Sequence, residues 1–187
     1  MIVAVPVVFT LLTGCTWDSQ NPNLNSLWPF RHGNILNIAS NGEIIQELMT
    51  INKTEIALTQ YAKTHSTCAK IKKLAASLQT VHTQNLREVQ HLSHKTKIKP
   101  MVNSMSNHIE HQGQQELNQL KTLHNKDFDK AFIRDMINDH RSALQIIDSS
   151  IMQSTNAELT AYLKAAREHF VMHLKKAEAQ QQESNLY

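Results

Sequence analysis

His82, His140 and His173, together with Glu55, are the residues of this 187-residue chain whose types and placement could do chemistry, because each falls on the apolar face of a different amphipathic segment. His169 stands one helical turn before His173, while Met136 and Asp139 precede His140 by one turn and one residue. Burying a lone carboxylate or imidazole is costly unless it is paired or ligated. Such residues on inward faces must therefore satisfy one another, either around a bound metal or ligand or as a hydrogen-bonded polar cluster, and the sequence leaves both readings open. If the centre holds a metal, three imidazoles and one carboxylate suit zinc or copper. Met136 as a further ligand favours copper, and His169 is an additional ligand or support for the ligands. His65, His91, His94, His108, His111 and His124 lie near segment ends, in polar stretches or off the apolar stripe, and read as solvated.

Other chemistry finds little support. The chain has no Gly-rich phosphate loop, no Gly-x-Ser-x-Gly elbow and no His-Glu-x-x-His motif, so the expectation is a noncatalytic protein. A di-iron centre would need Glu-x-x-His on two helices. Glu88-Val-Gln-His91 has that spacing but stands off the stripe and alone.

The elements that must position these residues are helical. The chain has only four Gly and four Pro, too few for the many turns of a sandwich or barrel, so an all-α domain is expected. Ser40-Asn-Gly-Glu43 is a capping box opening a helix over about 41–65, with Ile45, Leu48, Asn52, Glu55, Thr59 and Ala62 on one face. A second helix over about 67–94 carries Ile71, Leu74, Ala75, Leu78, His82, Asn85, Val89 and Leu92. A third, over about 127–153, carries Phe132, Ile133, Met136, His140, Ala143, Leu144, Ile147 and Ile151. Thr155-Asn-Ala-Glu158 reads as another capping box, opening a fourth helix to about 180 with Leu159, Tyr162, Leu163, Ala166, His169, Phe170, His173 and Ala177 inward. In the Gln-rich connection between the second and third, a short helix over 110–123 places Leu117, Leu120 and Leu123 inward. The expected architecture is a four-helix bundle with one extra short helix.

Several of these residues carry a family resemblance. Asn52-Lys-Thr-Glu55, Val81-His82, Phe128-Asp129 followed by Met136-Ile-Asn-Asp139-His140, and His173 within the last helix are together similar to a ferritin-like family of bacterial envelope proteins catalogued as a domain of unknown function. The similarity covers about residues 43–180. It implies a ferritin-like bundle whose recurring positions fall on Glu55, His82, Met136, Asp139, His140 and His173, and it extends the role of additional ligand or support to Asp139. Val81 departs from the acidic residue usual before the second-helix histidine, which would weaken a metal site that relied on it.

A second resemblance concerns location. The apolar run Val3–Leu12 followed by Thr13-Gly14-Cys15 resembles a bacterial lipoprotein signal, although no Lys or Arg precedes the run. The resemblance implies cleavage before Cys15, a covalent lipid on its sulfur, and an acylated amino terminus. Thr16 rather than Asp at the second mature position favours the outer membrane, periplasmic side. The expected organisation is a signal over 1–14, an Asn-, Ser- and Pro-rich tether over 15–40, a helical domain over 41–182 and a disordered tail over 183–187. With Cys15 acylated, Cys68 is expected to be unpaired.

Charge adds a partner class. Between Lys63 and Lys99 one acid, Glu88, faces eight Lys or Arg residues, a stretch that could lie on an anionic surface or an envelope protein, with a solvated helix face as the plainer reading. Nucleic acid is not expected, since aromatic residues are not interleaved with the bases. Two functions follow. One is an outer-membrane-anchored lipoprotein whose helical domain binds a metal or small ligand. The alternative is an architectural subunit of a larger envelope assembly, such as a secretion machine, with no chemistry of its own.

Overall fold

The computed structural model describes residues 39–185. Within them the chain forms five helices: α1 Asn41–His65, α2 Ala69–Thr96, α3 Ser104–Thr122, α4 Asn125–Gln153 and α5 Ala157–Asn185. The expected signal, Cys15 and nearly all of the tether lie outside the described residues.

Local chemistry sets the helix ends. The Ser40 box closes as expected: Ser40 Oγ accepts from Glu43 N at 3.3 Å, and Glu43 Oε2 accepts from Ser40 N at 2.7 Å. The last helix starts differently, because Asn156 Oδ1 accepts from Leu159 N at 2.9 Å and so makes Asn156, not Thr155, the cap. Glu158 is then free to pair with Lys95 at 2.7 Å. The connecting helix is no short insert. A capping box of Asn103 and Ser106 starts it at Ser104, and it runs for 19 residues. At the other extreme, α5 continues to Asn185, past the helix end expected at about 180, so residues 183–185 are helical rather than a disordered tail, with Glu183 bonded to Lys70 at 3.0 Å.

Packing follows the stripes. Helices α1 and α2 pair, as do α4 and α5; contacts of α2 with α5 and α1 with α4 close the group, and α3 lies against α1 and also touches α4. All eight residues expected inward on α2 are buried. Leu144, Ile151 and Tyr162 are only partly buried, as are Leu117 and Leu123, whereas Leu120 is fully enclosed.

The core is divided in two. One apolar cluster includes Leu58, Leu78, Phe132, Met136 and Ala177. The other includes Ile51, Val89, Ala143 and Phe170. Between them each long helix contributes polar residues: Asn52 and Glu55 on α1, His82 on α2, His140 on α4 and His173 on α5, all buried. The candidate site is thus a polar layer held from both sides by close-packed apolar side chains.

One cysteine expectation is corrected here. Cys68 is buried and disulfide-bonded rather than unpaired.

Candidate metal centre

His82, His140 and His173 meet in this layer, each with no measurable exposure, and one ring nitrogen of each lies within 4.8 Å of the others. Their ring centroids are 5.1–5.5 Å apart. Phe170 packs against His82 and His140 at 5.5 and 5.4 Å and closes one side.

The helices fix the orientation of two of the rings. Asn52 Nδ2 donates to the Leu48 carbonyl at 2.8 Å, which turns its Oδ1 toward His82 Nδ1 at 3.0 Å. His140 Nδ1 lies 2.8 Å from the Met136 carbonyl one turn back on α4. Each Nδ1 therefore carries the proton, leaving an Nε2 lone pair on each ring. Neither Nε2 has a partner, and neither does either ring nitrogen of His173.

Burial makes these imidazoles neutral. It pushes His82 well below the usual histidine value, with His140 and His173 adding to the effect. Burial likewise takes His140 down to about 4, against the Met136 hydrogen bond, and His173 down to about 3, with the neighbouring His140 contributing. A neutral imidazole is the form that ligates a metal, so the three rings can bind an ion without first losing a proton.

The remaining predicted residues take other places. Glu55 is not among the converging donors, because its Oε1 lies 3.6 Å from His140 Nδ1, on the side of that ring occupied by the Met136 carbonyl. Its Oε2 has no partner. Burial, reinforced by Glu116 and Asp135, raises Glu55 well above the usual carboxyl value, so its contact with His140 is between neutral groups. Met136 supplies its carbonyl, while its side chain belongs to an apolar cluster. His169 is only part-buried and lies 3.3 Å from Asn85 Oδ1, outside the trio.

Asp139 belongs to a neighbouring acidic group. With Glu55, Glu116, Gln112 and Gly113 it lines a cavity of about 30 Å³ between α1, α3 and α4, room for about one water. Asp139 is raised well above its usual value by burial and by Glu116, and Glu116 is raised to about 7, mainly by burial. Asp135, also raised by burial to about 6, is held by Arg134 at 2.7 Å. Glu116 and the role of Asn52 escape a sequence reading. The available signal was the spacing Ile109, Gly113, Glu116, Leu120, which puts a carboxylate on the buried face of α3; counting leucines alone hides it. His108 also departs from expectation, being part-buried with a sealed Nε2.

A family model described as a domain of unknown function, DUF4142, matches residues 37–179. Among solved structures, a DUF305 protein from Streptomyces coelicolor is similar at 9% identity, with a TM-score of 0.63, covering 76% of this chain and 93% of that one. At that identity the likeness concerns the fold. No curated protein matches the chain.

Proposed function

Because this chain belongs to the DUF4142 family, a domain of unknown function, we propose from its own geometry that it is a noncatalytic metal-binding domain holding zinc or copper on His82, His140 and His173. The observation that carries this is the set of four unpartnered, fully enclosed ring nitrogens on three rings that face one another. Each buried polar group left without a partner costs about 1–3 kcal/mol, and a shared ion satisfies one nitrogen on every ring at once. A cluster closed by hydrogen bonds among the side chains themselves would have paired these atoms, and no bond joins the three rings. A ferritin-like ancestry belongs to the same proposal, since a ligand centre built from side chains on facing long helices is the habit of that fold.

Titration of the chain with zinc and with copper tests the site. Binding tighter than on the order of 1 µM, lost in His140→Ala while the helical signal is retained, is the expected result. Weaker binding, or binding indifferent to His140→Ala, would abandon the reading.

The second part of the proposal is attachment to the outer membrane through a lipid on Cys15. It is supported by the Leu12-Thr13-Gly14-Cys15 pattern. No helix among the described residues is long and apolar enough to cross a membrane. Labelling cells with a clickable fatty acid should mark the wild-type chain and not Cys15→Ser. Cys15 is the one other cysteine of the chain, so within one molecule a lipid on its sulfur and the disulfide at Cys68 exclude each other; an intact mass of the membrane-extracted protein that lacks the lipid would abandon the attachment.

A further inference from the structure

Four large apolar side chains are exposed among the described residues, and three of them gather at one end of the molecule: Met101 at 55%, Val102 at 66% and Met152 at 81%. Met101 N donates to the Gly42 carbonyl at 2.9 Å. A Cβ on Gly42 would come within 2.6 Å of the Lys99 carbonyl and 3.1 Å of Met101 Cγ, so the link after α2 lies tight against the first turn of α1 and needs a glycine there. Met152 precedes Gln153, whose Oε1 accepts from Ala39 N at 2.7 Å, and Asn41 bonds to Thr155 just beyond at 2.8 Å. Both methionines therefore flank residues 39–42, where the described chain begins.

The same end is basic. Lys95, Lys97 and Lys99 are all exposed. Lys95 pairs with Glu158. Of the other nearby acids, Glu43 is turned back onto Ser40 N and keeps its charge, whereas burial favours the neutral form of Glu47, which accepts from Asn103 at 2.6 Å, so Lys97 and Lys99 outnumber the one acid not paired to a base. Lys97 adopts a left-handed conformation with φ 58°, which stops α2 and swings the following residues across the end of the bundle.

We infer that this end is a docking surface for an anionic phospholipid bilayer, with Lys95, Lys97 and Lys99 on the headgroups and Met101, Val102 and Met152 in the headgroup–acyl boundary. Exposed apolar side chains beside lysines are what an interfacial site requires: the first gain by leaving water, and the second are drawn to the negative surface. The chain leading from Cys15 also arrives here, at Ala39. That last point rests on the lipid attachment proposed above; the charge and the exposed apolar residues do not. The basic character of residues 63–99 thereby divides, since Lys70 at the opposite end is engaged by Glu183.

Residues 15–187 produced without acylation should sediment with phosphatidylcholine vesicles containing phosphatidylglycerol and not with phosphatidylcholine alone, and raised salt should release them. Each lysine near such a surface is worth about fivefold in partitioning, so reversing two in Lys97→Glu/Lys99→Glu should cost at least about 25-fold. Met101→Ser/Val102→Ser should weaken binding at unchanged salt dependence, and Lys70→Glu/Lys72→Glu should leave it unaltered. No binding to the anionic vesicles, no effect of the Lys97/Lys99 reversal, or an equal loss at Lys70/Lys72 would each overturn the inference. All substituted positions but Lys70 and Lys72 lie on the exposed end, and a circular dichroism melt on every variant separates lost binding from lost folding. Failure of fatty-acid labelling would remove the anchor and leave this result standing, because the vesicle assay uses chain without lipid.

Discussion

Asn52 Oδ1 sits 3.0 Å from His82 Nδ1, and the same amide gives its Nδ2 to the Leu48 carbonyl at 2.8 Å. The second bond decides the first: with Nδ2 committed to Leu48, only an acceptor faces the imidazole. His82 Nδ1 then holds the proton, and Nε2 is left as a lone pair.

Asn52→Leu should therefore lower zinc or copper affinity by about 10–100-fold, the usual effect of losing a group that orients a ligand. Calorimetric titration measures it. An unchanged affinity would mean that the packing of Phe170 alone holds the ring.

The metal-free protein should lose stability on both sides of a mildly acidic optimum. Unfolded histidines take up protons near 6.5, whereas folded His140 and His173 do so only at about 4 and 3, so stability falls as pH drops below 6.5. Glu116 releases its proton near 4.5 when unfolded but at about 7 when folded, so its contribution falls as pH rises from 4.5 through 7. Between 4.5 and 6.5 the two trends oppose each other. Glu116→Gln should raise stability at pH 8 by about 1–3 kcal/mol and by much less at pH 5. Urea midpoints at the two pH values check this, and an equal change at both would show that Glu116 is not held neutral.

Gly113 is where α3 meets α1. A Cβ there would fall 1.9 Å from Thr54 Cγ2 and 3.1 Å from Thr54 Cβ, and a β-branched side chain on a helix has little freedom to turn away. Gly113→Ala should destabilise by about 1–3 kcal/mol. Adding Thr54→Ala should recover part of that loss, whereas additive effects in the double variant would show that the strain lies elsewhere.

Ser66, just after α1, joins the start of α4. Its hydroxyl donates to Asp129 Oδ1 at 2.5 Å and accepts from Cys68 N at 3.0 Å, with both Ser66 and Asp129 buried. Burial raises the Asp129 carboxyl and the Ser66 bond restrains that rise. Ser66→Ala should cost about 1–3 kcal/mol, more at pH 8 than at pH 5 because the unsupported carboxylate is harder to ionise. A loss independent of pH would assign the effect to the Cys68 bond.

The helices and their buried faces were legible in the sequence, because periodicity is a local property: Ile71 to Leu92 could be laid out by counting, and Ser40 with Glu43 marked a start that closes as expected. That His82, His140 and His173 turn inward was legible for the same reason. Which of them meet was not. Glu55 shares the face of Asn52, and only the packing of α4 against α1 puts its carboxyl behind His140, where the Met136 carbonyl also lies, while Asn52 faces His82. Glu116 joins Glu55 and Asp139 around one cavity because α3, expected as a short insert, is a full helix laid on α1. Residue types and their periodicity, both read along the chain, set the faces that these side chains occupy. Their partners came from the packing of the helices, since a distance between side chains on different helices depends on crossing and register, which no spacing within one helix contains.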